Sequence, residues 1–197
     1  SMKYTFSTRS ATKEFTPIVF SVDAEKIVEK DGKQSISLAM GKREEMTRRK
    51  LIALVRRIVS VAKSAKVKKI AINFADLEFP HLDIAKEELA ELVAVNLEMA
   101  NFEFTKYKTK PKEGWSNILE VVVVGKADKE VERGIKKGKT IGEAVNATRT
   151  LANTPGGDMT PTLLSEEAQK AVEGLPVDVK VLDEMDMQEL GMGRSEE

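Results

Sequence analysis

Any chemistry in this chain must be built without cysteine and around one histidine, His81. A Ser-His-Asp arrangement would need that ring. His81 follows Pro80 in a segment that reads as loop, and no Gly-x-Ser-x-Gly turn occurs. It reads as a histidine packed in a loop, not as a general base. Carboxylates alone can hold hard cations, and Asp183, Glu184, Asp186 and Glu189 lie close together. They lack calcium-loop spacing with its central glycine. On a helix, Asp186 and Glu189 form a solvated acidic face.

Phosphate-binding patterns fare no better. The arginines between Arg43 and Arg57 are interleaved with Glu44 and Glu45 at helical spacing, so they read as a solvated helix face. Lys106, Lys108, Lys110 and Lys112 alternate around Tyr107, which suits an edge strand guarded by lysines against edge-to-edge pairing. Gly134, Gly138 and Gly142 recur every four residues, unlike Gly-x-Gly-x-x-Gly or a Walker loop. Glycines on one helix face instead permit close packing of another element. No catalytic, cofactor-binding or metal-ligating role is assigned to any position.

The elements that would carry these residues alternate between strand and helix patterns. Lys3–Thr8 alternates aromatic with small polar residues, as an exposed or edge strand does. Residues 16–22 read as a buried strand, and Asp31-Gly32 as a hairpin turn between strands near Val28 and at 35–39. Residues 43–66 are the clearest helix, with Leu51, Leu54, Val55, Ile58, Val61, Ala62 and Ala65 on one face. A strand over 67–74 and a helix over 83–101 follow, then an edge strand and loop over 103–116. Residues 118–124 are short, β-branched and closed by Gly125, which favours a central strand. A third helix spans 128–152, and Thr160-Pro161 opens a fourth that ends near Gly174. A strand over 177–182 and a short helix over 184–190 complete the series. The pattern predicts α/β: a three-layer, mixed or largely parallel sheet flanked by helices, then the start of a second α/β domain.

Composition bounds the function classes. The 197 residues are 41% hydrophobic and 32% charged, a globular balance. Thirty-two basic residues match thirty-two acidic ones, so a strongly cationic nucleic-acid binder is not indicated. Without cysteine, disulfides and thiolate metal sites are excluded. No stretch approaches the roughly 18 apolar residues of a membrane span. Lys3, Arg9 and Lys13 interrupt any signal-peptide core, so a cytoplasmic protein is expected.

One segment carries more specific information. Arg149, Leu151, Asn153 and Pro155 are followed by Met159-Thr160-Pro161, then Val179-Lys180-Val181-Leu182-Asp183, then Leu190-Gly191-Met192-Gly193. This order resembles the passage that opens the catalytic domain of the leucyl (cytosol) aminopeptidase family. It covers 142–193; the preceding residues match that family's macro-like N-terminal domain in length and α/β pattern alone. The resemblance places an N-terminal macro-like domain over 1–141 and the truncated beginning of the catalytic domain over 142–197. Gly156-Gly157 stands where the family commonly has Pro-Asn, and Arg194-Ser195-Glu196-Glu197 stands where it continues into a strand.

The resemblance implies a parent enzyme that removes N-terminal residues from peptides. Two divalent metals, zinc or manganese, would activate a bridging water, and the full-length protein would be a homo-hexamer. The family holds those metals in an Asp-Thr-Gly-Gly region and an Asn-Thr-Asp-Ala-Glu-Gly-Arg region, and neither string occurs here. The chain is therefore expected to bind no metal and to be inactive by itself. The alternative is a non-catalytic macro-like module for a nucleotide, ADP-ribose or nucleic acid. Against it, Lys126-Ala127-Asp128 follows Gly125 where a diphosphate loop would carry further glycines.

Overall fold

The computed structural model describes residues 1–8, 14–30 and 32–192. The chain divides into two compact units, Ser1–Arg149 and Thr150–Glu197. The first is built on a six-stranded sheet formed by β1 (Lys3–Ser7), β2 (Thr16–Ser21), β3 (Lys26–Lys30), β4 (Lys33–Ala39), β5 (Lys69–Asn73) and β6 (Glu120–Val124). Their order is β1-β6-β5-β2-β4-β3, with every pairing parallel except the β3–β4 hairpin. The expected mixed α/β sheet flanked by helices is present. β1 lies at an edge, and the valine-rich β6 lies inside between β1 and β5, as its continuous apolar run requires.

Three long helices belong to this sheet: α1 (Arg48–Ser64), α2 (Lys86–Asn101) and α3 (Lys129–Asn153). Leu51, Leu54, Val55, Ile58, Val59 and Ala62 of α1 are buried with Ile18, Ile36, Ile70, Ile72, Val121 and Val123 of the strands. Leu89, Leu92, Val93 and Leu97 of α2 and Val131 and Ile135 of α3 join the same cluster. Each fully buried Leu, Ile or Val stabilises the fold by roughly 1.5–3 kcal/mol, so this shared face is the main source of order.

Helix boundaries follow the caps. The expected helix over 43–66 begins at Arg48, because the Thr47 hydroxyl accepts a hydrogen bond from the Lys50 amide at 3.2 Å. Arg43–Glu45 forms a separate single 3-10 turn. The helix over 83–101 likewise begins at Lys86, after a 3-10 turn at Pro80–Leu82. In the predicted hairpin, Gly32 has φ +68° and Lys30 lies opposite Lys33, while Asp31 lies outside the described residues.

Two predicted strands are absent. Residues 103–116 form a loop, exposed over 106–113, rather than an edge strand, so Lys106, Lys108, Lys110 and Lys112 guard no sheet edge. Their alternation has no apolar partner face to bury, and Pro111 and Gly114 break the run. In the second unit residues 177–182 are also irregular. A strand needs a neighbour for its N–H and C=O groups, and the second unit contains no strand among the described residues.

The second unit does contain the two expected helices, α4 (Pro161–Ala171) and α5 (Glu184–Glu189). The Thr160 hydroxyl caps α4 by accepting from the Leu163 amide at 3.2 Å, with Pro161 at the first helical position. Asp183 and Asp186 form a reciprocal capping box at the start of α5. No apolar side chain of this unit is fully buried among the described residues. Leu164, Leu175, Val177, Val181, Met185 and Leu190 are about half exposed or more.

Candidate functional site

Most of the residues that could have done chemistry have structural partners. His81 Nε2 lies 2.8 Å from the Met46 carbonyl oxygen, and its ring meets Phe79 edge-on at 6.2 Å. Beside it, Arg43 donates to the carbonyls of Asp76 (3.0 Å) and Glu78 (2.6 Å) and stacks 4.4 Å over Phe79. Together they latch the turn before α1 to the turns after β5. Arg48 pairs with Glu88 at 2.7 Å, Arg57 pairs with Glu25, and Arg56 donates to Asn96 Oδ1 at 2.8 Å. Asp183 and Asp186 are occupied in their capping box. Among the described residues, no group of three or more His, Cys, Asp and Glu side chains is placed to hold a metal ion.

The glycines of α3 pack as their spacing suggests. A Cβ added at Gly134 would lie 2.6 Å from the Ala90 Cβ, and one at Gly138 would lie 2.8 Å from the Ala94 Cβ. At Gly142 it would lie 2.5 Å from the Glu98 Cβ. These glycines let α3 lie backbone-close on α2, and the rims are tied by Arg133–Glu87 and Lys137–Glu91 pairs, both at 2.8 Å. Despite its three glycines α3 is continuous for 25 residues, because the lost propensity is offset by packing.

The far end of that seam uses residues of the motif segment. Arg149 donates to the Met99 carbonyl at 2.9 Å and stacks 4.5 Å over Phe102, while Asn146 donates to the Glu98 carbonyl at 2.9 Å. These groups satisfy carbonyls of the last turn of α2, which otherwise lack helical partners. Asn101, which sequence reasoning missed, closes the following loop. Its amide donates to the Ile118 carbonyl and accepts from the Ile118 amide, both at 2.9 Å.

Glu98 and Tyr4 form a strongly perturbed polar cluster. Glu98 is 2% exposed and accepts from the Met2 amide at 3.1 Å. Burial pushes its carboxyl above the ordinary range, outweighing that hydrogen bond. Burial likewise pushes the Tyr4 phenol far up, reinforced by the nearby charges of Glu98 and Glu143. Both groups are therefore held toward their neutral forms.

A concave feature lies outside the carboxyl ends of β1, β6 and β5, against the start of α3. It is a crevice of about 500 Å³, within the range of small-molecule sites. Phe6, Phe74, Val123 and Val131 supply its apolar wall, and Glu78, Lys86, Lys126, Asp128 and Glu132 its charged groups. Lys86 Nζ meets Asp128 Oδ2 at 3.1 Å, and Asp128 Oδ1 accepts from the Glu130 amide at 2.9 Å. That contact lowers the Asp128 carboxyl and raises the Lys86 ammonium from their ordinary values. Sequence reasoning could not assemble this place, because its walls come from segments more than a hundred residues apart.

The architecture is that of a mixed α/β domain followed by a smaller helical unit, and comparisons with known proteins specify it further. Residues 31–111 match the model of the cytosol aminopeptidase family, N-terminal domain. A probable cytosol aminopeptidase of Aquifex aeolicus is 36% identical over 110 residues, covering 56% of this chain and 21% of that protein. One from Alkaliphilus oremlandii is 24% identical over 164 residues, covering 82% of this chain and 32% of its own. The chain thus spans 21% to 32% of the length of these relatives. Among solved structures, a tomato leucine aminopeptidase mutant superposes with a TM-score of 0.79 at 17% identity. It covers 97% of this chain and 46% of the other. The bottromycin maturation enzyme BotP in complex with Mn gives 0.70 at 17% identity, over 92% and 41%. These two likenesses establish the fold alone. Residues 31–111 are thus similar to that family's N-terminal domain, and relatives named as probable cytosol aminopeptidases align with 56% to 82% of this chain. The family model matches within the stretch where the sequence by itself offered only length and pattern.

Proposed function

We propose that this chain is the N-terminal portion of a metal-dependent leucyl-type aminopeptidase that removes N-terminal residues from peptides. The observation that carries this reading is a match to a probable cytosol aminopeptidase running through 82% of the chain. The motif order from Arg149 to Gly193 supports it, because that stretch lies beyond residues 31–111. On this reading the first domain covers 1–141 and the catalytic domain opens at 142. The half-exposed apolar side chains between Leu164 and Leu190 support the same division, since they are suited to the core of a larger domain.

Two divalent metals, zinc or manganese, would supply the activated water in the parent enzyme. Their ligands would lie in the two sequence regions this chain lacks. The parent would act on peptides as a homo-hexamer in the cytoplasm; no helix among the described residues is long and apolar enough to cross a membrane. A macro-like nucleotide module is not favoured, because the relatives are named as peptidases.

The test is leucyl-p-nitroanilide hydrolysis with added manganese or zinc. The 197-residue chain is expected to give no turnover above buffer. A product of the same gene extended through both metal-ligand regions is expected to be active. Turnover by the short chain refutes its inactivity, and an inert extended protein refutes the peptidase reading.

A further inference from the structure

We propose that the crevice at the carboxyl ends of β1, β6 and β5 binds a small ligand with an apolar body and a protonated amine. The proposal does not depend on the peptidase reading. Ligands of open α/β sheets commonly bind outside the carboxyl ends of the strands, and this crevice has the volume for one, about 500 Å³. Its wall is preformed and apolar: Phe74, Val123 and Val131 are buried, while the Phe6 ring remains 43% exposed at the edge strand.

Charge decides which ligand fits. A helix start ordinarily favours anions, but here the position is already taken by a carboxylate. Asp128 accepts from the Glu130 amide at 2.9 Å and is itself neutralised by Lys86 at 3.1 Å. With that pair closed, the remaining charged lining residues are Glu78 and Glu132 against Lys126, while Lys129 and Glu130 of the first helical turn offset each other, leaving one net negative charge. A phosphate would meet this acidic rim, whereas an ammonium is attracted to it. Phe6 and Phe74 supply apolar surface for the ligand body. The favoured chemistry is that of phenethylamine, not of a nucleoside diphosphate.

The test uses the full chain, labelled with nitrogen-15, titrated separately with phenethylamine, 3-phenylpropionate and ADP-ribose. Phenethylamine is expected to shift the amides of Gly125, Lys126, Ala127 and Val131 in a saturable manner. The carboxylate with the same ring is expected to bind more weakly, and ADP-ribose not at all. The double variant Glu78→Gln, Glu132→Gln should bind phenethylamine about fivefold more weakly. Ala127→Trp, placed on an exposed lining residue, should block it while the protein's amide spectrum stays folded. Equal or tighter binding of 3-phenylpropionate or ADP-ribose overturns the proposal. So does phenethylamine that shifts no amide, shifts amides elsewhere, or is insensitive to both variants.

Discussion

Replacing Gly138 by alanine tests the claim that α2 and α3 are held at backbone contact. In an open helix this change stabilises by about 1 kcal/mol, because glycine is the poorer helix former. Here the new Cβ would lie 2.8 Å from the Ala94 Cβ and 3.0 Å from the Glu91 carbonyl carbon, and closer still to the Glu91 carbonyl oxygen. Two of those atoms are backbone, so relief requires the helices to separate, and overpacking of this kind costs about 1–3 kcal/mol or more. Separation also strains the Arg133–Glu87 and Lys137–Glu91 pairs on the rim. With contacts this close the cost sits at the upper end of that range, and helix propensity returns about 1 kcal/mol, so a net loss of roughly 2 kcal/mol is expected, a drop of about 4–8 °C in Tm for a chain of this size. Urea unfolding followed by circular dichroism measures it. Gly156→Ala is the control: nothing lies within 4 Å of its added Cβ, so it should be neutral or stabilise by up to about 1 kcal/mol. If Gly138→Ala is as stable as the parent chain, the close approach of the two helices is wrong.

Other consequences are open to measurement. Arg149→Ala removes a hydrogen bond to the Met99 carbonyl and the stack on Phe102, so it should cost about 1–3 kcal/mol in urea unfolding. Arg149→Lys should recover only part, because an ammonium cannot reproduce the planar stack. Glu98 binds its proton more tightly when folded than when unfolded. Stability should therefore fall as pH rises from the ordinary carboxylate range through the raised Glu98 value, then level off. Glu98→Gln, which keeps an oxygen for the Met2 amide, should flatten that part of the urea midpoint against pH; an unchanged profile sinks the assignment. Asn101→Ala leaves the buried amide and carbonyl of Ile118 without their partner. It should cost about 2–4 kcal/mol and speed hydrogen exchange at Ile118.

The elements most legible in the sequence were those whose pattern is local. The α1 face was readable because Leu51, Leu54, Val55 and Ile58 repeat at helical spacing, and the structure adds Val59 to the buried set. β6 was readable because four consecutive valines bounded by glycine suit a strand buried on both faces. The misread strands failed for one reason. Residues 103–116 and 177–182 alternate as a strand does, yet pairing depends on a neighbour that alternation cannot supply. The glycine spacing in α3 announced a close approach but could not name its partner, because Ala90, Ala94 and Glu98 lie in another helix. The crevice was invisible for the same reason: Phe6, Phe74, Gly125 and Val131 meet only through the strand order.

The two units differ in what they can do unaided. The first buries its strands and helices in one continuous cluster from Met2 to Ile135, and the glycine seam and Arg149 tie α3 to α2. Its polar perturbation at Glu98 and Tyr4 is buried inside that seam, where it tunes stability and is not poised for exchange with solvent. Its concave surface lies at the opposite, carboxyl end of the strands, where a ligand could enter without disturbing the core. The second unit has good caps at Thr160 and Asp183 but no buried apolar side chain among the described residues. Caps are worth about 1 kcal/mol each and fix where a helix starts; they do not replace a core. The helices after Arg149 therefore have well-fixed starts but exposed apolar side chains, so their order is local, whereas that of the first unit is held by its core.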